Sequence, residues 1–384
     1  MCIGQRMEAV IVQAKEALGE NDCKKALKLL KLYKSQVDNG SCSDPELYKV
    51  FADAYLEDGQ LDKAYPCLVK SCELDPQGTK TGTDQFFTLG QVVGGPDGIQ
   101  LISQGIENVS NEGGDNLNGE QVNKIVGGLL SMIEIWMTDL CMEPEAESQC
   151  EELINKALEI TERGSPDVLA TLGSIRISQQ KFNEACEAFS LAWELFEKKK
   201  DEISNNLDSE SSGANELVEL LQPLLSLAKM CIEVGLYEIA LKVIGAVRDI
   251  DEDNIEGYYL EGFTTYMIAK VGTFQQQNPT VEMKPETIYE FNQHIQEIAL
   301  NLEDEIVNGL IQDARISLSF AVKIGEASDP NDEVVSEIVA GANSVLQEIG
   351  GEVDAKILMK IKKGEPLEDI EANLDDEFES DNDI

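Results

Sequence analysis

LATLGSIRISQQKFNEACEAFSLA, residues Leu169 to Ala192, places large and small apolar residues at intervals that suit two packed helices. Leu169, Leu172 and Gly173 fall on one face of a first helix, and Ala185, Phe189 and Ala192 on one face of a second. The large side chains act as knobs, while Gly173 and Ala185 leave room for antiparallel helices to approach closely. Asn183 is placed to cap the second helix.

The same spacing recurs along the chain. Tyr48-x2-Phe51-Ala52-x2-Tyr55 is followed by a turn at Asp58-Gly59 and by Ala64-x3-Leu68, and Pro76 ends the unit because proline cannot continue a helix interior. Leu224-x2-Leu227-Ala228-x2-Cys231, Gly235 and Ala240-x3-Ile244 repeat the pattern. Val10, Ala14 and Ala17 with Ala26 and Leu30 make a weaker copy at the start. Phe86-x2-Leu89-Gly90-x2-Val93 gives another first helix, but its partner, Ile99 to Val109, lacks the usual small residue. A long-turned hairpin is broken at Pro144, and an aromatic helix around Gly262 finds its partner displaced to Ala314, Leu318 and Ala321. These are tetratricopeptide (TPR) spacings. They predict an all-α protein, a TPR-like α-solenoid whose superhelix comprises about seven helical hairpins. It spans 1–350, with insertions near 198–216 and 271–308, and an amphipathic helix from Val334 to Ile349 caps it.

Composition narrows the function. Asp plus Glu number 73 against 30 Lys plus Arg, a formal charge of −43. Such an excess repels nucleic acid and anionic membrane and draws in cationic partners. There is no long apolar run and the start, MCIGQRMEAV, has no apolar leader, so an intracellular protein is expected. Nine irregularly spaced cysteines and the single His294 form no zinc pattern and read as small core residues, so neither metal nor cofactor is expected. Residues 198–216 are poor in apolar side chains and are expected to be mobile. The C-terminal extension, 351–384, turns strongly acidic: residues 365–384 hold ten Asp or Glu and no Lys or Arg, which predicts disorder from 365.

IEIWMTDLCMEPEAE at 133–147, followed by Cys150-Glu151-Glu152-Leu153 and Lys156-Ala157-Leu158, resembles the TPR-type dedicated assembly chaperone of the fourth large-subunit ribosomal protein. LGSIRISQQKFNEA at 172–185 and the acidic tail agree with it. The resemblance covers nearly all of the chain, and 133–158 is its distinctive block. It implies a non-enzymatic escort in ribosome biogenesis that shields the long internal loop of a basic ribosomal protein in its groove. It further implies delivery from cytoplasm to nuclear pre-60S ribosomes, with contact to the pre-ribosome and to an import receptor made through the client. Lys198-Lys199-Lys200 is too short for an import signal of its own, which leaves that role to the client.

In a TPR stack the first helices line the concave face, so residues beside the packing positions are candidates for client contact. These are Glu46, Asp53 and Glu57, then Asp84 and Phe87, and in the aromatic helix Glu256, Tyr259, Phe263 and Tyr266. Glu134, Trp136 and Asp139 join them from the distinctive block. Carboxylates beside aromatic rings suit Lys and Arg, which pair with the acid and lie over the ring. The aromatic residues fit the core as well as the groove, Trp136 included, and spacing does not separate the two.

Two other readings compete. An adaptor for Hsp70- or Hsp90-type chaperone tails needs cations on the concave face; Lys49 is in place, but Asp53 and Glu57 share its face. A scaffold would use the convex face instead. Catalysis has little to support it: GQVVGGPDG at 90–98 lacks the Lys-Ser/Thr of a phosphate loop, and no cysteine has an evident base partner.

Overall fold

The computed structural model describes residues 3–114, 116–206 and 213–364, all helix, turn or loop, with no strand among them. The tail from 365 therefore lies outside the described residues. The fold is an all-α, TPR-like solenoid, and the chain divides between Gly164 and Ser165 into two compact units.

The first unit begins with α1 (Ile3–Gly19), α2 (Cys23–Leu30) and the short α3 (Lys34–Asp38). Asn21 turns the chain with φ of 56°, and Asp22 caps α2 by accepting the Lys25 backbone N–H at 2.8 Å. Next come α4 (Pro45–Glu57) and α5 (Leu61–Leu74). Tyr48, Phe51 and Ala52 on α4 close on Ala64 and Leu68 of α5, all buried. Helix α5 stops just before Pro76, as its spacing requires. The following loop is tied to buried Asp75, whose carboxylate accepts the backbone N–H groups of Thr79, Lys80 and Thr81 and the hydroxyls of Thr79 and Thr81.

In the third pair, α6 (Asp84–Val93) and α7 (Gly95–Gly113), the small residue missing from its usual place in the sequence is present elsewhere. It is Gly98. A Cβ on Gly90 would lie 2.9 Å from the Gly98 carbonyl oxygen, so two glycines let the backbones touch. The turn is shorter than usual: Gly98 follows Gly90 by eight residues (98 − 90), whereas Ala185 follows Gly173 by twelve (185 − 173). The fourth pair is α8 (Gly119–Met137) and α9 (Ala146–Ile160), joined by the expected long link through Pro144. Asn118 and Gln121 close a reciprocal capping box at the start of α8, at 2.9 and 3.0 Å.

The second unit opens with α10 (Pro166–Ser178) and α11 (Phe182–Asn206). Gly173 faces the Phe189 ring so closely that any side chain there would collide with it, and Ala185 and Ala192 are wholly buried. Two expectations are corrected here. Asn183 lies inside the first turn of α11, and its amide donates to Glu286 at 3.1 Å instead of capping the helix. Residues 198–206 continue α11 because buried Trp193 and Phe196 anchor it and Lys200 pairs with Asp249. The stretch 207–212 lies outside the described residues, and α12 (Gly213–Glu219) leads into α13 (Leu221–Glu233) and α14 (Tyr237–Ile250).

The aromatic helix is α15 (Ile255–Gln277), and its displaced partner is α17 (Glu305–Ala327), with α16 (Pro285–Asn292) and a single 3-10 turn between them. Gly262 makes the close approach, since a Cβ there would lie 2.9 Å from the Ala314 carbonyl oxygen. Helix α18 (Glu333–Glu348) packs on α15 and α17 through Ala342 and Leu346. It is followed by α19 (Ala355–Lys362), where Leu358 is buried and Lys362 pairs with Asp253 at 2.6 Å. Residues 351–364 are therefore part of this unit, beyond the 350 boundary that the sequence suggested.

Candidate peptide-binding groove

Helices α13, α15 and α18 of the second unit enclose an open cavity of about 340 Å³, lined by Lys229 and Ile232, by Glu256, Tyr259, Leu260 and Phe263, and by Glu337 and Ile338. Asn254 fixes the start of α15 by accepting the Gly257 backbone N–H at 2.8 Å, which sets Glu256 in the first turn. One and two turns on, Tyr259 and Phe263 stack with centroids 5.9 Å apart and planes at 16°. The Tyr259 ring is held against Gly341 of α18, where a Cβ would lie 3.1 Å from its hydroxyl oxygen, and burial pushes its phenol above the ordinary value.

The acid in this groove is not uniform. Glu256 is mostly covered and pairs with Lys229. Glu337 is exposed and has no ion-pair partner among the described residues. An aromatic floor with carboxylates at its rim is chemically suited to a segment that alternates apolar and cationic side chains.

Three of the sequence candidates, Glu256, Tyr259 and Phe263, thus meet in one place. Tyr266 does not join them. It is buried, with its hydroxyl donating to Glu348 at 2.6 Å beside the fully buried Lys270, and it belongs to the core. In the first unit most candidates are occupied within the chain. Glu46 pairs with Lys15 at 2.6 Å, Asp53 with Lys49 at 2.6 Å and Asp84 with Lys124 at 3.1 Å. Phe87 is half-buried, wedged between Gly105 and Gly128, and Asp139 accepts the Gly95 backbone N–H at 2.8 Å at the start of α7. Trp136 is half-buried, with an indole N–H that is enclosed and has no acceptor. Glu134 and Glu57 face solvent; partial burial, then the Asp53 charge, raises the Glu57 carboxyl.

Lys229, Ile232, Glu337 and Ile338 went unseen in the sequence. A signal for Lys229 was available, because it follows Ala228 in α13 as Phe263 follows Gly262 in α15. A second cavity of about 470 Å³ in the first unit, lined by Ile106, Leu129, Met132, Leu153, Lys156 and Glu159 among others, contains none of the sequence candidates.

Cys42, Cys67, Cys72, Cys150 and Cys231 are buried as expected of core residues, Cys23 and Cys186 are half-buried, and Cys141 is exposed. Burial raises the thiols of Cys67 and Cys186 to about 11 and those of Cys72 and Cys231 to about 12, so they stay protonated at neutral pH. No helix among the described residues is long and apolar enough to cross a membrane.

The fold defines the chain as a TPR-like all-α protein, and the groove of its second unit is a candidate seat for a polypeptide segment. Residues 253–377, from the cap of α15 onward, match the family model described as the ACL4 C-terminal domain. A curated protein of Schizosaccharomyces pombe named a probable assembly chaperone of rpl4 is 26% identical over 268 residues, covering 68% of this chain and 75% of the relative. Its namesake in Emericella nidulans is 29% identical over 229 residues, 58% of this chain, which spans about half (54%) of that relative. The solved structure of residues 1–338 of the assembly chaperone of RpL4 (Acl4) superposes with a TM-score of 0.54 at 23% identity, over 71% of this chain and 99% of that one, and shares its fold. The resemblance to dedicated ribosomal-protein assembly chaperones is borne out by these matches.

Proposed function

We propose that this chain is a dedicated chaperone of a newly made, highly basic large-subunit ribosomal protein. It binds an extended basic segment of that client, the long internal loop, and shields it until ribosomal RNA replaces the acidic surface. The observation that carries this reading is the groove of α13, α15 and α18, where stacked Tyr259 and Phe263 sit under Glu256 and Glu337 in a chain whose curated relatives are named assembly chaperones of rpl4. Binding and release suffice, and no catalytic step enters. The escort travels with its client from cytoplasm to nucleus, meeting the import receptor and the pre-60S particle through the client.

The test is co-purification. The chain is mixed with the basic ribosomal protein and, separately, with a peptide ending in the acidic tail of an Hsp70- or Hsp90-type chaperone. Retention of the basic protein, weakening steeply between low and high salt, supports the proposal, because rim charges act across a Debye length of about 8 Å at physiological ionic strength. Retention of the acidic peptide alone sinks it and favours the adaptor reading.

A further inference from the structure

The groove holds a cation of its own. Lys229 reaches from α13 to the Glu256 carboxylate on α15, and the two side chains are 47% and 18% exposed. Lys229 is thus the more accessible partner and is free to swing into solvent, while the carboxylate it neutralises stays in the wall of the cavity. The stacked pair Tyr259 and Phe263 lines the cavity beside it, with Ile232, Leu260 and Ile338, and α18 contributes Glu337, which has no ion-pair partner among the described residues. A covered carboxylate without a cation would bear a desolvation cost in the empty groove. Lys229 relieves that cost, and it does so with a flexible, strongly hydrated ammonium that a planar guanidinium can replace with better geometry.

We propose that Lys229 is a placeholder for the client: it occupies Glu256 in the empty groove and is displaced when a cationic side chain of the bound segment arrives. The incoming group stacks over Tyr259 and Phe263, takes the Glu256 carboxylate and has Glu337 at its other side, while Lys229 turns outward. The placeholder lowers affinity for the client and keeps the Glu256 carboxylate from being offered bare to any passing cation. Selectivity follows. A partner that supplies only charge gains little from exchanging one ammonium for another, whereas a segment with apolar residues beside its arginines gains the aromatic floor as well. This inference rests on the client-binding reading above.

A double-mutant cycle tests it. Binding of a basic peptide with interspersed leucine and arginine is measured by fluorescence anisotropy at fixed ionic strength for wild type, Lys229→Met, Glu256→Gln and the double variant, after circular dichroism shows each to be folded. Lys229→Met is expected to bind about fivefold tighter than wild type, the loss of one partly exposed competing ion pair. That gain is expected to vanish in the Glu256→Gln background. A gain of equal size in both backgrounds means that Lys229 acts only by general charge repulsion and overturns the placeholder. No gain in either background overturns it too. Failure of the wild-type chain to retain the basic ribosomal protein overturns the proposed function and the inference with it, whereas no binding of the peptide, or binding without coupling, overturns the inference alone.

Discussion

The ring of Phe87 lies against the backbone of Gly128, so that a Cβ on that glycine would sit 2.7 Å from the ring. The contact joins α6 to α8, with Gly105 of α7 on the same ring, and turns a residue beside the packing positions into the wedge between two hairpins. Glycine is required at 128 by the space, whereas Gly127 on the same helix has nothing within 4 Å of its would-be Cβ. Gly128→Ala is therefore expected to destabilise the chain by about 1–3 kcal/mol through overpacking. Gly127→Ala is expected to stabilise it by about 0.5–1 kcal/mol through helix propensity. Chemical denaturation of the two neighbouring variants decides the matter, and equal effects would contradict the wedge.

The repeats with standard turns were legible because glycine and alanine stand at fixed distances in them, as Gly173 and Ala185 do. Gly98 escaped because the α6–α7 turn is shortened, which moves the small residue out of its usual place. The end of α11 escaped for another reason: 198–206 is polar by composition, yet it is carried as helix by the anchored residues before it and by the Lys200 pair. In the candidate site, helical spacing puts Glu256, Tyr259 and Phe263 on one face of α15, and all three line one cavity. It could not show that Asp139 is engaged by Gly95 or that Tyr266 turns toward Glu348, since those contacts join residues 44 and 82 positions apart. Glu337 was hidden because α18 read as a cap for the array, and a cap that also walls a groove has the same apolar period.

Asp75 gives a pH dependence with a defined sign. Burial opposes its ionisation, but the N–H groups of Thr81 and Lys80 and the hydroxyls of Thr81 and Thr79 outweigh that cost and hold the carboxyl below its ordinary value. A depressed folded-state pKa contributes stability that is present above the unfolded value and is lost as pH falls through the folded one. Asp75→Asn is expected to cost about 1–3 kcal/mol at neutral pH by leaving loop donors unmatched. The gap to wild type should narrow as pH drops below the ordinary aspartate range. A gap that stays constant down to pH ~2.5 would show that Asp75 acts through shape and not through charge.

Lys270 and Glu348 are unequal partners. The lysine side chain is wholly buried, with the Ile298 carbonyl as a second acceptor, while the carboxylate is 39% exposed. Removing the carboxylate strands a buried ammonium; removing the ammonium leaves a carboxylate that water can reach. Glu348→Ala is accordingly expected to cost about 3–5 kcal/mol, and Lys270→Met clearly less, because methionine refills an apolar slot. Thermal denaturation ranks the two. The reverse order would mean that the pair is open to water in solution.

The groove itself is tested by two aromatic residues three positions apart on α15. Phe263 lines the cavity and Tyr266 is buried behind it, so they separate binding from folding. Phe263→Ala is expected to weaken retention of the basic client about tenfold, equivalent to ~1.4 kcal/mol, by removing one face over which a cation lies. Tyr266→Phe should leave client affinity as it is and cost about 1 kcal/mol of stability through the lost hydroxyl contact with Glu348. Affinity measured by anisotropy beside a denaturation curve reads both effects from the same samples. If Tyr266→Phe lost the client and Phe263→Ala kept it, the client would contact α15 on the side that packs against Glu348, and the groove of α13, α15 and α18 would not be its seat.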